Sequence, residues 1–158
     1  MMAYALEDEI IWREFMKQLK SVLAFVLMVL FIPVALAAGS PAGTWTTIDD
    51  KTGKKRAVVR VNVSGGTLSG TIISVIPQPG DTGICSNCPG GFKGKPIKGL
   101  QFVWGLKDKG NGVWDGGNIL DPKTGKVYRA KITMEGNKLY VRGYVGISVL
   151  GRTQVWVR

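Results

Sequence analysis

Beyond residue 43 the chain alternates apolar and polar residues in short runs separated by turn-forming residues. Residues 44–48 open the pattern. In residues 57–63, Ala57, Val59, Val61 and Val63 share one face while Val58, Arg60 and Asn62 share the other. A period of two with one apolar face marks a half-buried strand. Leu68, Gly70, Ile72 and Ile76 form the inner face of the next strand, after a Ser64-Gly65-Gly66 hairpin signal. Leu100, Phe102, Trp104 and Leu106 then alternate with Gln101, Val103, Gly105 and Lys107. Residues 113–120 make a weaker strand, in which Gly116-Gly117 predicts a bulge or a close backbone approach. Tyr128, Ala130, Ile132 and Met134 share one face of residues 126–134. Leu139, Val141, Gly143, Val145, Ile147 and Val149 share one face of a run reaching residue 149, and residues 152–158 form the last strand.

That pattern predicts about eight short antiparallel strands and no amphipathic helix beyond residue 37. An all-β domain of this kind is a sandwich or a closed barrel. Eight strands suit a single barrel, because closure removes exposed edges and the bore can hold one small ligand. Asp49-Asp50-Lys51-Thr52-Gly53 and Asp121-Pro122-Lys123-Thr124-Gly125 read as similar turns, each opened by an aspartate and closed by a glycine.

The start of the chain follows different rules. Residues 21–36 are almost wholly apolar, with Lys17 and Lys20 before them and Ala35-Leu36-Ala37 after. A basic region, an apolar stretch and an A-x-A site make an export signal cleaved after Ala37. The apolar run of roughly 15 residues, broken by Pro33, is short of the ~20 that a spanning helix needs. Glu7, Asp8, Glu9 and Glu14 are foreign to such a signal, whereas Met16 opens a well-formed one, so translation is expected to begin at Met16. The expected organisation is a signal peptide, residues 1–37, and a barrel, residues 38–158, in the periplasm or outside a bacterial cell, with no stable membrane span after cleavage.

Residues 38–158 hold 18 Lys and Arg against 7 Asp and Glu, a net charge of +11. Such a domain can meet nucleic acid, anionic lipid or acidic polysaccharide. The cations are dispersed along the chain, as they are where lysines block edge-to-edge aggregation, so no nucleic-acid partner is expected. There is no histidine. Its absence removes the usual general base and the commonest metal ligand, and disfavours hydrolytic catalysis. No catalytic residue, metal or cofactor is assigned.

One stretch does not alternate. Residues 77–99 are rich in Gly, Pro and Lys and carry both cysteines, Cys85 and Cys88. Long loops inside compact domains are usually functional or disordered. In an exported chain the C-x-x-C is foremost a structural disulfide. A redox pair normally opens a helix, whereas Pro89-Gly90-Gly91 follows here. Zinc needs four ligands and this motif supplies two. Covalent haem needs a histidine where Pro89 stands.

Gly43-Thr44-Trp45 opens the first strand. In lipocalins a G-x-W at this place seats the tryptophan at the closed barrel end, beneath an arginine from near the last strand; Arg152 and Arg158 are the candidates. The blocks Gly94-Lys95-Pro96-Ile97-Lys98-Gly99-Leu100, residues 114–128, Val141-Arg142-Gly143-Tyr144-Val145-Gly146 and Gly151-Arg152-Thr153-Gln154-Val155-Trp156 resemble domain-of-unknown-function family 2147, small secreted bacterial proteins. The resemblance spans residues 43–158 and implies a lipocalin-like, calycin-like barrel. It implies no catalytic set.

The resulting expectation is a non-enzymatic carrier that binds a small apolar or amphipathic molecule in its bore. Phe102, Trp104, Tyr128 and Met134 are candidates for the lining, and Arg142 and Tyr144 for a polar contact. The alternatives are a thiol–disulfide exchanger using Cys85 and Cys88, and a binder of anionic envelope polymers.

Overall fold

The structure, a computed structural model, describes residues 39–158 together with Arg13 and residues 16–18. Apart from those four residues, the export segment inferred at residues 1–37 lies outside the described residues. The chain divides into two compact units, Met1–Ala37 and Ala38–Arg158.

The second unit contains eight strands: β1 (Gly43–Ile48), β2 (Lys55–Ser64), β3 (Thr67–Val75), β4 (Gln101–Asp108), β5 (Val113–Asp121), β6 (Lys126–Glu135), β7 (Lys138–Tyr144) and β8 (Arg152–Val157). Each pairs with the next, and β8 returns to β1 through Thr46–Val157, Thr47–Trp156 and Ile48–Val155, all antiparallel. The sheet is a closed barrel, which leaves no unpaired edge.

Alternation delivers the core. Trp45, Val59, Val61, Leu68, Leu106, Leu120, Ile132, Leu139, Val141 and Trp156 are all buried. A barrel of this strand number has an interior that side chains alone can fill, and Trp45, Phe102, Trp114 and Trp156 join the aliphatic residues in this core. Every member of the buried cluster lies between Trp45 and Trp156. Among the described residues, core and hydrogen-bond ladder both lie within the second unit, the physical condition for independent folding.

β4 and β7 depart from the alternation that the sequence predicts for them. In β4, Gly70 pairs with Val103 and Thr71 with Gln101, so Phe102 is an extra residue; a second shift separates the Gly70–Val103 and Leu68–Leu106 pairs. Gly105 supports the second irregularity with a φ of +75°. The bulges bring Phe102 and Val103 into the core together and leave Trp104 only half-buried, at the core's margin. In β7 the ladder stops at Tyr144, although the alternating pattern runs on to Val149. Gly146 takes a φ of +70°, outside the β region. Ser148–Leu150 then forms a short 3₁₀ turn, so Val145, Ile147 and Val149 leave the sheet instead of facing inward.

The Gly116-Gly117 pair carries both of the features anticipated for it. The β5–β6 register shifts between Asp115 and Gly117. Gly117 also sits so close to β4 that a Cβ there would overlap the Trp104 carbonyl oxygen and lie 2.5 Å from the Leu106 nitrogen.

Candidate functional site

An up-and-down barrel has two ends built from alternate connections, and here they are chemically unlike. The base holds the chain's entry at Gly43, the tight β2–β3, β4–β5 and β6–β7 hairpins, and Arg158. The Trp45 indole is wholly buried there and donates from Nε1 to the Pro41 carbonyl at 2.8 Å. Arg158 lies with its guanidinium carbon 4.3 Å from the indole centroid and donates from Nη2 to the Ser40 and Ala42 carbonyls at 3.0 and 2.8 Å. A guanidinium over an aromatic face is attracted by the ring quadrupole, so Arg158 caps the base. Arg152 does not. It pairs with Asp50 at the opposite end, where that carboxylate holds its guanidinium above the ordinary value. The alternating ladder puts residues 152 and 158 of one strand at opposite ends of the barrel.

The other end carries the β1–β2 and β5–β6 turns, the long β3–β4 connection and the β7–β8 connection. The two turns anticipated from D-x-x-T-G are built alike. Asp49 Oδ1 accepts from the Lys51 and Thr52 nitrogens and from Thr52 Oγ1. Asp121 accepts from the Lys123 nitrogen and Thr124 Oγ1. The Thr52 backbone N–H, above all, holds the Asp49 carboxyl below its ordinary value.

The β3–β4 connection is an ordered loop. Cys85 and Cys88 form a disulfide with their Cα atoms 5.4 Å apart. Cys85 N–H donates to the Lys95 carbonyl at 2.9 Å, and Ile97 N–H to that of Gly83 at 2.9 Å. An Arg56–Asp81 ion pair at 3.4 Å ties the loop to β2. Both sulfurs lie 3.9 Å from the Pro122 carbonyl oxygen. Gly125 packs so tightly on Asn87 that no side chain fits between them. The disulfide therefore clamps the loop onto the β5–β6 turn.

That clamp positions Phe92. A 3₁₀ turn, Gly90–Phe92, brings its ring to 5.5 Å from the Trp104 indole in a stacked arrangement. Phe92, Lys95, Gly99, Leu100, Gln101 and Trp104 line an open pocket of about 550 Å³. Its chemistry is an aromatic wall, an exposed lysine and a backbone glycine.

Of the proposed lining residues, only Trp104 reaches this pocket. Phe102 is in the packed core, its ring 5.8 Å from that of Trp156. Tyr128 is half-buried in the barrel, where it and Ile119 stand against Gly143. Met134 lies near the base, beside Gly39. Arg142 is taken up by the β7–β8 connection, donating to the Ser148 and Val149 carbonyls and to Thr153 Oγ1 at 2.5, 2.8 and 2.7 Å. Tyr144 donates to Asp115 Oδ1 at 3.3 Å. The polar pair assigned to a ligand is thus spent on the protein itself. Trp114 is in the core. Phe92 and Lys95 escaped the strand pattern because they lie in the loop. Phe92 nevertheless carried a signal, as the only aromatic residue in residues 77–99.

A bacterial family described as "uncharacterized protein conserved in bacteria (DUF2147)" matches residues 43–158, the whole barrel from its first strand to its last residue. The chain belongs to this family. No curated protein matches it. Among solved structures, the chain is similar to protein HP1028 from the human pathogen Helicobacter pylori, which is described as belonging to the lipocalin family. That match has a TM-score of 0.65 at 20% identity and covers 75% of this chain and 82% of the other. It establishes a lipocalin-like fold for this family member, an architecture compatible with small-molecule binding.

Removing the disulfide tests its role in the site. Replacing both Cys85 and Cys88 by serine is expected to cost about 2 kcal/mol by the chain-entropy estimate for so short a loop. The local effect should be larger. Limited proteolysis should cut residues 77–99 much faster than in the parent, and an unchanged cleavage rate would show that the backbone bonds alone hold the loop.

Proposed function

We propose that this protein binds a small, partly apolar molecule bearing an anionic group, and that it does so outside the cytoplasm after export by residues 1–37. The observation that carries this reading is the pocket between the disulfide loop and β4, with its Phe92–Trp104 wall and Lys95. A volume of about 550 Å³ falls within the range of small-molecule sites. The ligand sits in the wall of the barrel mouth, where Phe92, Lys95 and Trp104 line the pocket. Stacking on the indole favours a flat or chain-like apolar body, and the lysine favours a carboxylate or phosphate.

A binding role suits the chain better than catalysis. The site brings together no acid–base pair, and Cys85 and Cys88 are 0% and 3% exposed. Thiol–disulfide exchange requires a thiolate to reach a disulfide sulfur in line, so this burial favours a structural bond.

Native mass spectrometry of the protein taken from its own export compartment, without detergent, tests the reading. A co-purifying small molecule is expected. Trp104→Ala should weaken its binding about tenfold, the upper range of one aromatic contact. Lys95→Gln should weaken only anionic ligands. No adduct, together with no tryptophan quenching by fatty acids or aromatic carboxylates, would overturn it.

A further inference from the structure

We propose that the connection between β7 and β8 is a membrane-docking tip, which seats the pocket end of the barrel on an anionic lipid surface. The proposal stands on observations separate from the pocket and holds whether or not the pocket takes a ligand.

The first observation is apolar. Val145, Ile147, Val149 and Leu150 are 70%, 63%, 77% and 79% exposed. The other large apolar side chains exposed on the barrel's described residues are Ile84 and Val127. Ile84 lies in the β3–β4 connection and Val127 at the start of β6, so all six belong to one end of the molecule. Single exposed apolar residues need no explanation, but a cluster confined to one loop marks an interaction site.

The second observation is that the tip is held out. The Arg142 guanidinium reaches from β7 to the Ser148 and Val149 carbonyls and to Thr153 Oγ1. Leu150 N–H donates to Ile147 and Gly151 N–H to Ser148, at 3.3 and 3.0 Å. Gly151 packs against the Gly143 carbonyl, where a Cβ would lie 2.7 Å from the oxygen. These bonds take up the Ile147, Ser148 and Val149 carbonyls within the protein. They also fix the apolar side chains pointing away from the core.

The third observation is charge, and it selects the occupant. The half of the barrel nearer this end holds 12 Lys and Arg against 4 Asp and Glu, whereas the other half holds 6 against 3. Lys123, Lys126 and Arg129, on the hairpin beside the tip, are exposed, as is Lys51 on its other flank. An apolar tip ringed by cations matches an anionic bilayer surface, with apolar groups inserted among the headgroups and lysines against the phosphates. It does not match a second copy meeting it end to end, since two faces of the same strong positive charge repel. Docking in this way would turn the Phe92–Trp104 pocket toward the lipid.

The test uses residues 38–158, which hold the complete barrel, and vesicles of phosphatidylcholine and phosphatidylglycerol at about 3:1 in about 150 mM salt, read by co-sedimentation. The expected result is binding to these vesicles at least about tenfold stronger than to pure phosphatidylcholine. The double substitution Ile147→Ser and Leu150→Ser should weaken it at least about tenfold with no change in net charge. Both side chains are exposed, so the variant should keep the parent's thermal unfolding. Lys123→Gln with Lys126→Gln should weaken binding a few-fold and flatten its salt dependence, and Trp104→Ala should leave it unchanged. Equal sedimentation of parent and tip variant would overturn the proposal, since charge alone would then hold the protein. So would failure of the parent to bind, or a concentration-dependent dimer in sedimentation velocity that the tip substitutions abolish.

Discussion

Truncating Trp45 to alanine is expected to remove about 3–5 kcal/mol of stability, the range for deleting a buried aromatic side chain. Three interactions end together at this residue. The indole fills the base of the core at 0% exposure, its N–H satisfies the Pro41 carbonyl, and its face carries Arg158. Loss of the ring leaves a cavity that the closed strands cannot collapse to fill. Arg158→Leu should cost much less, about 1 kcal/mol, because an exposed cation–π contact is worth only that. Urea denaturation of the two variants gives both numbers. A Trp45→Ala cost below about 1.5 kcal/mol would mean that the base is not a packed seal.

Gly117→Ala is expected to be nearly as severe, at about 3 kcal/mol or more, at the upper limit for overpacking. The added Cβ would overlap the Trp104 carbonyl and crowd the Leu106 backbone nitrogen. Backbone in a closed ladder cannot rotate away as a side chain can, so β4 and β5 must separate. Gly116→Ala supplies the control. Its Cβ would meet nothing within 4 Å, and only the cost of holding an L-residue at a φ of +84° remains, about 1–2 kcal/mol. If the two alanine variants unfold at the same urea concentration, the contact with β4 is not what requires glycine at 117. Because Trp104 also walls the pocket, Gly117→Ala should disturb ligand binding as well, whereas Gly116→Ala should not.

Most of the barrel was legible because its signals are local. Period-two alternation in residues 57–63 and 126–134 needs no partner to be read, and the D-x-x-T-G turns announce their own hydrogen bonds. Trp45 was readable as a base residue through the resemblance of Gly43-Thr44-Trp45 to the lipocalin G-x-W. The choice between Arg152 and Arg158 was not, because it depends on which end of β8 lies beside Gly43, a matter of barrel closure. The failures share one cause. Trp104 and Val103 exchanged roles because two bulges in β4 reset the alternation, and a bulge is defined by the register of the neighbouring strand. Val145, Ile147 and Val149 kept the spacing of an inner face, but Arg142 and Gly146 turn the chain out of the sheet before they can use it. Arg142 and Tyr144 read as ligand contacts because an exposed polar face looks the same whether its partner is a ligand, solvent or another loop.

By itself the sequence determined the all-β class, the number of strands, the buried aliphatic faces, the basic charge and the placing of both cysteines in one loop. These follow from spacing and composition, which act over a few residues. The tertiary structure alone decided that Phe102 packs on Trp156 in the core, that the disulfide loop folds onto the β5–β6 turn, and that Phe92 and Trp104 meet to wall a pocket. It also decided that apolar side chains gather at the basic end. Each of these depends on contacts between residues distant in the chain, and closure of the barrel sets which of them meet.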